Sequence, residues 1–269
     1  MVDEDILDLP PPPADRRIAY GPGAYHFGDL RMPPGSGPFP VVVLLHGGYW
    51  RARYGLEYFG HASAALTAEG YATWNVEYRR IGHEGGAWPG TFEDVAAATD
   101  YLRALADEYS LDLTRFVTVG HSAGGHLAVW LAARRRLLPD SPLYAPDPLV
   151  PRAAVSLAGL HDLRRGSALG LSNGAVHELL GGPPEEYGER YAATSPADLL
   201  PIGVRQILVH GTEDDSVPYE ISRDYAESAR AAGDDVTLVT LDGVGHFETV
   251  DPRTSEWSAT LDAVRAALS

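Results

Sequence analysis

The stretch VTVGHSAGGHLAVWLAA, residues 117–133, places one serine among glycines, between a β-branched run and a helix-forming run. Gly120 and Gly124 stand two residues before and two residues after Ser122, where a sharp strand-to-helix turn leaves little room for a Cβ. Such a turn exposes the serine hydroxyl at the carboxyl end of a strand and points the N-terminus of the next helix at it. The motif is G-x-S-x-G, the nucleophile elbow, and it makes Ser122 a candidate nucleophile.

The pentapeptide alone is weak support, because a chain of 269 residues with 29 glycines contains G-x-S-x-G by chance fairly often. The strand pattern before it and the helix pattern after it reduce that chance. Other motifs must supply what a serine nucleophile needs, which is a neighbouring base and N–H donors for a developing negative charge.

The composition is that of an ordinary globular chain and excludes several classes of function. Hydrophobic residues make up 45% and charged residues 22% of the 269 residues, which is enough for one large domain with a full core. The formal net charge of −16 makes nucleic acid and anionic membranes poor partners. The absence of cysteine excludes disulfides and a cysteine nucleophile. Residues 1–16 are acidic and then proline-rich without a signal-peptide pattern, so we expect an extended N-terminal arm on a cytoplasmic protein.

Apolar runs alternate with amphipathic segments along most of the chain, which predicts an α/β fold with a mostly parallel, doubly wound sheet. The predicted strands are Val41–Leu45, Tyr71–Tyr78, Phe116–Val119, Ala153–Ala158, Gln206–Val209 and Val236–Leu241. The predicted helices are Leu56–Glu69, Thr91–Tyr109, Ala123–Arg136, Tyr219–Ala232 and Ser255–Leu268. Residues 17–31 are expected to add an antiparallel hairpin at one edge. Residues 160–203 interrupt the alternation and are a candidate lid within a single domain that spans residues 17–269.

A second motif, HGGYW at residues 46–50, follows the predicted strand Val41–Leu45. Glycines let a backbone approach a substrate closely, and backbone N–H groups stabilise the oxyanion that forms when a carbonyl is attacked. We assign one such donor to the amide of Ala123, the residue after the candidate nucleophile, and the other to the stretch of Gly48 and Tyr49. A plain glycine turn after a buried strand is the competing interpretation.

Two further motifs in the last third of the chain contain carboxylates and a histidine. HGTEDDSVP, residues 210–218, continues an apolar strand, and His246 lies in a glycine-flanked turn after another strand. A serine nucleophile needs a histidine as general base and a carboxylate that orients it. Asp214 and Asp215 are adjacent, and spacing alone does not choose between them. Because each candidate follows a predicted strand, all should meet at one edge of a parallel sheet, where open α/β sheets bind ligands.

With these motifs in place, residues 40–250 resemble an α/β-hydrolase of the esterase/lipase superfamily, in which nucleophile, acid and histidine follow one another in this order. HGGYW is similar to the motif of the kynurenine formamidase-like branch, whereas GHSAGGHLA and HGTEDDSVP look like motifs of carboxylesterases. The resemblance implies that Asp214 is the acid, because the superfamily pattern H-G-x-x-D-x-x-V-P falls on it, with Asp215 as the alternative. It also implies that His246 is the base and that the fold is of the α/β-hydrolase type with a small lid insertion.

Three side chains are candidates for the substrate pocket. Trp50 ends the oxyanion motif, Trp88 lies in a loop after a predicted strand, and His161 opens the candidate lid. Each is a candidate for contact with substrate, and for Trp88 and His161 the favoured interpretation is that the side chain braces a loop. No histidines show metal-ligand spacing such as H-E-x-x-H, so neither a metal nor a cofactor is expected.

The resemblance leaves several reactions open to the same three side chains. The leading hypothesis is a carboxylic-ester hydrolase for small to medium substrates that works through an acyl-enzyme on Ser122. An arylformamidase of the N-formylkynurenine type is the alternative that HGGYW favours, and a biosynthetic acyl transferase or cyclase is another. A non-catalytic binding protein is disfavoured, because serine, aspartate and histidine are all available. We expect a small-molecule ester or amide as substrate, and a monomer or homodimer.

Overall fold

The fold is built on one eight-stranded sheet, seen in a computed structural model that describes residues 5–269. The strands are β1 (Arg16–Ala19), β2 (Phe27–Arg31), β3 (Phe39–Leu45), β4 (Ala72–Val76), β5 (Leu111–His121), β6 (Ala153–Leu157), β7 (Arg205–Gly211) and β8 (Val236–Leu241). Their order in the sheet is β1-β2-β4-β3-β5-β6-β7-β8. β1 and β2 form an antiparallel hairpin and β2 runs antiparallel to β4, whereas the other neighbouring strands are parallel. The predicted sheet and edge hairpin are therefore confirmed.

Helices cover both faces of this sheet. They are α1 (Asp5–Asp8), α2 (Phe59–Ala68), α3 (Gly90–Asp100), α4 (Leu102–Glu108), α5 (Ala123–Ala133), α6 (Leu163–Ala168), α7 (Leu171–Leu180), α8 (Pro184–Thr194), α9 (Tyr219–Ala231) and α10 (Trp257–Leu268). α2 and α10 pack on one face, and α3, α5 and α9 pack on the other. No helix within residues 5–269 is long and apolar enough to cross a bilayer.

The central strand β3 shows why its sequence is a continuous apolar run. Val41, Val43 and Leu45 point into one hydrophobic core, and Val42 and Leu44 point into the other. All five side chains are fully buried. Successive side chains of a strand alternate between faces, so a strand covered on both sides needs apolar residues at every position.

Two predicted helices end differently in the structure. The predicted helix Thr91–Tyr109 is wrong as a single element, because α3 and α4 meet at Tyr101, where the Ala104 N–H bonds to the Tyr101 carbonyl three residues back. The predicted helix Ala123–Arg136 ends at Ala133 and finishes as a 3₁₀ turn over Arg134–Arg136. Both differences are tighter turns at helix ends, which hydrophobic periodicity does not register.

The expected N-terminal arm and the candidate lid at residues 160–203 both contain secondary structure. Of the expected N-terminal arm, residues 1–4 lie outside the described residues, Asp5–Asp8 form a single helical turn, and Arg16 already belongs to β1. The segment 160–203 contains α6, α7 and α8 and a short 3₁₀ turn. α7 is fastened to the loop after β3, because the guanidinium of Arg51 donates to both carboxylate oxygens of Glu178 at 2.9 and 3.0 Å. The role of this segment as a lid stays a prediction.

Candidate active site

The turn between β5 and α5 holds Ser122 in a backbone conformation that side chains rarely adopt, with φ 56° and ψ −120°. A Cβ at Gly120 would lie 1.9 Å from the carbonyl oxygen of Gly124. A Cβ at Gly124 would in turn lie 1.9 Å from the carbonyl oxygen of Leu45. A backbone conformation like that of Ser122 costs on the order of 1–3 kcal/mol, and it persists only where the surrounding structure imposes it. Both glycines are therefore required by the close packing of backbone that fixes Ser122.

A short hydrogen bond joins the predicted histidine to the predicted acid. The Nδ1–H of His246 donates to Oδ2 of Asp214 at 2.7 Å, while Oδ1 of Asp214 accepts the amides of Ser216 at 2.9 Å and Val217 at 2.8 Å. Burial raises the pKa of Asp214, but hydrogen bonds from His210 and His246 outweigh it and hold the pKa well below its ordinary value. The carboxylate is therefore ionised and fixed in orientation.

The neighbouring carboxylate takes no part in this arrangement. Asp215 is exposed, and its side chain accepts only the Ser216 hydroxyl, at 3.2 Å. The geometry therefore assigns the histidine to Asp214 and leaves Asp215 on the surface.

Ser122 and His246 line the same cleft, which has a volume of about 220 Å³ and lies where parallel strands end. Because Nδ1–H of His246 is donated to Asp214, Nε2 is the ring atom left to accept a proton. Across residues 5–269, no hydrogen bond joins Ser122 Oγ to the His246 ring. Such bonds are often long in unliganded sites and tighten when a substrate binds. The walls of the cleft are formed by Leu7, Gly48, Tyr49, Arg51, Arg53, Tyr54, Tyr58, His121, Ser122, Ser172, Ser216, His246 and Phe247.

The loop after β3 turns its backbone toward this cleft. Gly48, Tyr49 and Trp50 have consecutive left-handed φ angles of 106°, 50° and 55°. In the described part of the chain, the amides of Gly48 and Tyr49 donate no hydrogen bond, and both residues line the cleft. Ala123 is the first residue of α5, so its amide has no acceptor within the helix. The three predicted oxyanion donors therefore lie beside Ser122, two on the loop and one on the helix.

Tyr49 also connects this loop to the loop that carries the acid. Its hydroxyl donates a hydrogen bond to the carbonyl of Ser216, two residues after Asp214. Burial raises the pKa of Tyr49 to about 12, so the phenol stays protonated and remains a donor at neutral pH. This contact fixes the spacing between the oxyanion turn and the acid loop.

A second histidine, His210, for which the sequence favours a role in bracing a loop, contacts the acid. The Nε2–H of His210 donates to Oδ2 of Asp214 at 3.1 Å and to the carbonyl of Val217 at 2.9 Å. Because both partners are acceptors, Nε2 carries the proton, and Nδ1 accepts the hydroxyl of Ser222 at 2.7 Å. His210 is fully buried. His210 lies in the motif HGTEDDSVP. Its position four residues before Asp214 is the sequence feature from which this contact could have been predicted.

Tyr58 links three loops of the site, and no sequence motif contained it. Its hydroxyl accepts the amide of Gly47 at 2.6 Å and donates to Nδ1 of His121 at 2.9 Å. The Nε2–H of His121 then donates to the carbonyl of His246 at 2.9 Å. Burial and the neighbouring His246 lower the pKa of His121 well below its ordinary value, so the ring is neutral. This chain holds the oxyanion loop, the elbow and the histidine loop in one arrangement.

The two tryptophans predicted for the pocket lie elsewhere. Trp50 is fully buried, and its ring meets His126 edge-on with 5.2 Å between centroids. Its left-handed backbone turns the side chain into the core instead of the cleft. Trp88 lines a separate cavity of about 450 Å³ between α8 and the segment after α5, where the guanidinium of Arg190 lies 5.7 Å from its ring. The expectation that these residues contact substrate at Ser122 is therefore corrected.

His161 does not line the cleft, so its candidate role in the substrate pocket is wrong and the bracing interpretation favoured from the sequence fits instead. It is fully buried, its Nε2 lies 2.8 Å from the hydroxyl of Ser156, and its ring stacks on Tyr225 with 4.7 Å between centroids. Burial lowers the pKa of His161 well below its ordinary value. A neutral, enclosed imidazole of this kind supports packing and does not reach a substrate in the cleft.

Comparison with known proteins identifies a family for this chain. A family profile described as BD-FAE matches residues 29–228. The chain belongs to the BD-FAE family. Among curated proteins, it is similar to "Esterase LipC" of Mycobacterium tuberculosis, with 27% identity over 259 residues that cover 88% of this chain and 60% of LipC. The chain spans 51% to 60% of the lengths of the three curated relatives that it matches.

Solved structures identify the fold of this BD-FAE member. A truncated carbohydrate esterase from gut microbiota superposes with a TM-score of 0.79 at 21% identity, covering 95% of this chain and 98% of that one. Esterase 2 of the planctomycete Thermogutta terrifontis superposes with a TM-score of 0.76 at 24% identity, covering 95% and 92%. The predicted α/β-hydrolase fold and its esterase/lipase branch are confirmed.

Proposed function

We propose that this chain is a serine hydrolase that cleaves carboxylic esters of small to medium substrates through an acyl-enzyme on Ser122. The observation that carries the proposal is the hydrogen bond between His246 and ionised Asp214 in the cleft that the strained Ser122 lines. The similarity of this chain to proteins that are named as esterases adds support to the proposal. The volume of about 220 Å³ lies below the range of about 300–1,000 Å³ for drug-sized ligands, which favours compact substrates.

In the first half of the reaction, Nε2 of His246 takes the proton of Ser122 while Oγ attacks the ester carbonyl. The negative charge that develops on the carbonyl oxygen accepts hydrogen bonds from the amide of Ala123 and from the turn at Gly48 and Tyr49. The carbon–oxygen bond to the alcohol then breaks, and protonated His246 gives its proton to the leaving alkoxide. The alcohol leaves, and the acyl group stays on Ser122.

In the second half, water replaces the alcohol. His246 accepts a proton from that water as its oxygen attacks the acyl carbonyl, and the same amides hold the second oxyanion. The bond to Ser122 breaks, Oγ regains a proton from His246, and the carboxylic acid leaves. Asp214 stays ionised throughout and stabilises the imidazolium by accepting its Nδ1–H.

Two alternatives use the same groups and are outcomes of the test. An arylformamidase was suggested by HGGYW, but Trp50 of that motif is buried against His126 and cannot recognise an aromatic substrate. An acyl transferase or cyclase would need a nucleophile that outcompetes water for the acyl-enzyme. Among the described residues, no contact in the cleft favours either alternative over ester hydrolysis.

The test is a comparison of kcat/KM for 4-nitrophenyl acetate and for N-formylkynurenine, with Ser122→Ala as the blank. We expect ester hydrolysis far above the blank and little formamide hydrolysis. A strong preference for the formamide would replace the proposal by the arylformamidase alternative. Rates equal to the blank for both substrates would contradict a serine hydrolase.

Several expectations from the sequence stay predictions. These are a small-molecule substrate, a monomer or homodimer, a cytoplasmic location, a lid at residues 160–203, and independence from metals and cofactors.

A further inference from the structure

The described residues give the cleft wall positive charge, although the chain has a formal net charge of −16. Arg51 and Arg53 line the cleft, and its lining within residues 6–269 contains no aspartate or glutamate. Asp214 lies behind His246, with its side chain fully buried. Among residues 6–269, the charged side chains that line the cleft are therefore those of the two arginines.

The two arginines differ in how their charge is used. Arg51 donates to both carboxylate oxygens of Glu178 and to the carbonyl of Ser172, so its charge is neutralised by α7. Arg53 is exposed and has no carboxylate within salt-bridge distance among the residues that the structure describes. Its charge is thus available to a ligand.

Arg53 is also held close to the reacting groups. Its guanidinium lies over the ring of Tyr54, 5.1 Å from the centroid. Tyr54 packs directly on the oxyanion turn, because a Cβ at Gly48 would lie 2.8 Å from the Cβ of Tyr54. An aromatic platform of this kind orients a guanidinium without neutralising it, which leaves its N–H groups free for an anionic oxygen group.

We propose that this site selects esters that carry an anionic oxygen group, such as a carboxylate, and that Arg53 binds that group. The inference rests on the proposed ester hydrolysis and deepens it. The arginine presents paired N–H donors that match a carboxylate, and a charge-assisted hydrogen bond of this type is stronger than a neutral one. The negative field of the whole protein repels such substrates at long range, so their selection must come from this local contact.

The test uses pairs of esters that differ only in charge. On the acyl side, the mono-4-nitrophenyl ester of adipic acid is compared with 4-nitrophenyl hexanoate. On the alcohol side, 4-acetoxybenzoate is compared with its methyl ester. The quantity measured is the ratio of kcat/KM for the anionic member to that for the neutral member, with the Ser122→Ala rate subtracted.

We expect Arg53→Gln to lower this ratio by about tenfold in at least one pair, as loss of one charge-assisted hydrogen bond predicts. The matched control is Arg135→Gln, which removes the same charge from an exposed arginine beyond the far end of α5 and should leave the ratio unchanged. Higher ionic strength should lower the ratio of the unmodified protein more than that of Arg53→Gln.

The outcomes separate this inference from the proposed function. If both members of each pair are hydrolysed through Ser122 and Arg53→Gln leaves both ratios unchanged, selection by Arg53 is wrong and ester hydrolysis stands. If no ester is hydrolysed faster than by Ser122→Ala, the proposed function fails and the inference fails with it.

Discussion

On the acid side of Ser122, the carboxylate of Asp214 accepts four hydrogen bonds, two from backbone amides and two from histidines. On the oxyanion side, the amides of Gly48 and Tyr49 donate none within residues 5–269. The difference follows from when the charge exists. Asp214 is charged in the resting protein and must be satisfied at all times, whereas the oxyanion exists only during the reaction. In the proposed reaction, the unpaired amides on that side are free to donate to the transition state.

The comparison predicts that changes on the two sides act in different ways. On the acid side, a substitution acts through His246, and its effect should depend on pH. On the oxyanion side, a substitution removes stabilisation of the transition state directly, and its effect should be nearly independent of pH. The predictions below run from the largest expected effect to the smallest.

The largest of these effects belongs to Asp214→Asn. An amide cannot stabilise the imidazolium and favours the wrong tautomer of His246, so we expect kcat to fall by about 10⁴-fold, as for the same change in a known triad. The matched control is Asp215→Asn, which removes one negative charge from the adjacent, exposed position and should leave kcat within about twofold, as an exposed charge is worth little. Steady-state kinetics on 4-nitrophenyl acetate measure both variants. Equal losses in the two would contradict the assignment of Asp214.

On the oxyanion side, Gly48→Ala should lower kcat by about 100-fold. This value is the lower end of the decrease in kcat that follows the loss of one oxyanion donor. Gly48 has φ 106°, and an added Cβ would lie 2.8 Å from Tyr54, so the turn must shift. Gly70→Ala is the control, because Gly70 has φ 97° and open space around it. Both variants should lose thermal stability, but only Gly48→Ala should lose activity at every pH. If kcat falls equally in both, the loss is due to backbone strain and not to the oxyanion turn.

The second histidine on the acid allows a finer test. We expect His210→Leu to lower kcat/KM by about tenfold, because one hydrogen bond to the charged Asp214 is lost. The loss of that hydrogen bond should raise the pKa of Asp214 towards its ordinary value, so activity should be lost at a higher pH on acidification. His210→Gln keeps an N–H at the position of Nε2 and should recover most of the activity. A profile that stays in place in His210→Leu would reduce His210 to a packing role.

The smallest effect concerns stability and pH. The pKa of Asp214 is depressed in the folded protein, so its contribution to stability is fully present above the unfolded pKa of about 3.9 and is lost as pH falls towards the folded value. The free energy of unfolding of the unmodified protein should exceed that of Asp214→Asn by a constant amount between about pH 5 and 7, and by less below about pH 4. Urea unfolding of both proteins across this range measures the difference. A gap that widens on acidification would contradict an ionised, stabilising carboxylate.

Much of the fold was predictable because buried strands have a recognisable apolar pattern in the sequence. The five apolar residues Val41–Leu45 predict a strand covered on both faces, and the structure distributes them between two cores. Parallel strands end at a common edge, so motifs that follow several strands predict which residues share that edge. The structure places Ser122, Asp214 and His246 there.

The pocket was not predictable, because the direction of a side chain depends on contacts far away in the sequence. Trp50 follows the oxyanion turn directly, but its left-handed backbone sends the indole into the core against His126. His161 follows a strand that ends at the same edge of the sheet as the cleft. Its ring nevertheless packs in the protein interior against Ser156 and Tyr225. Arg53 shows the converse, since no motif contains it and only the fold brings it to the cleft.

The most direct test of the central claim is covalent labelling of the nucleophile. Diethyl 4-nitrophenyl phosphate transfers its diethylphosphoryl group to an activated serine, and mass spectrometry of the intact and digested protein locates it. We predict one diethylphosphoryl group per chain on Ser122, loss of ester hydrolysis in proportion to labelling, and no labelling of Ser122→Ala. A label on another residue, or full hydrolytic activity in a completely labelled protein, would contradict the account.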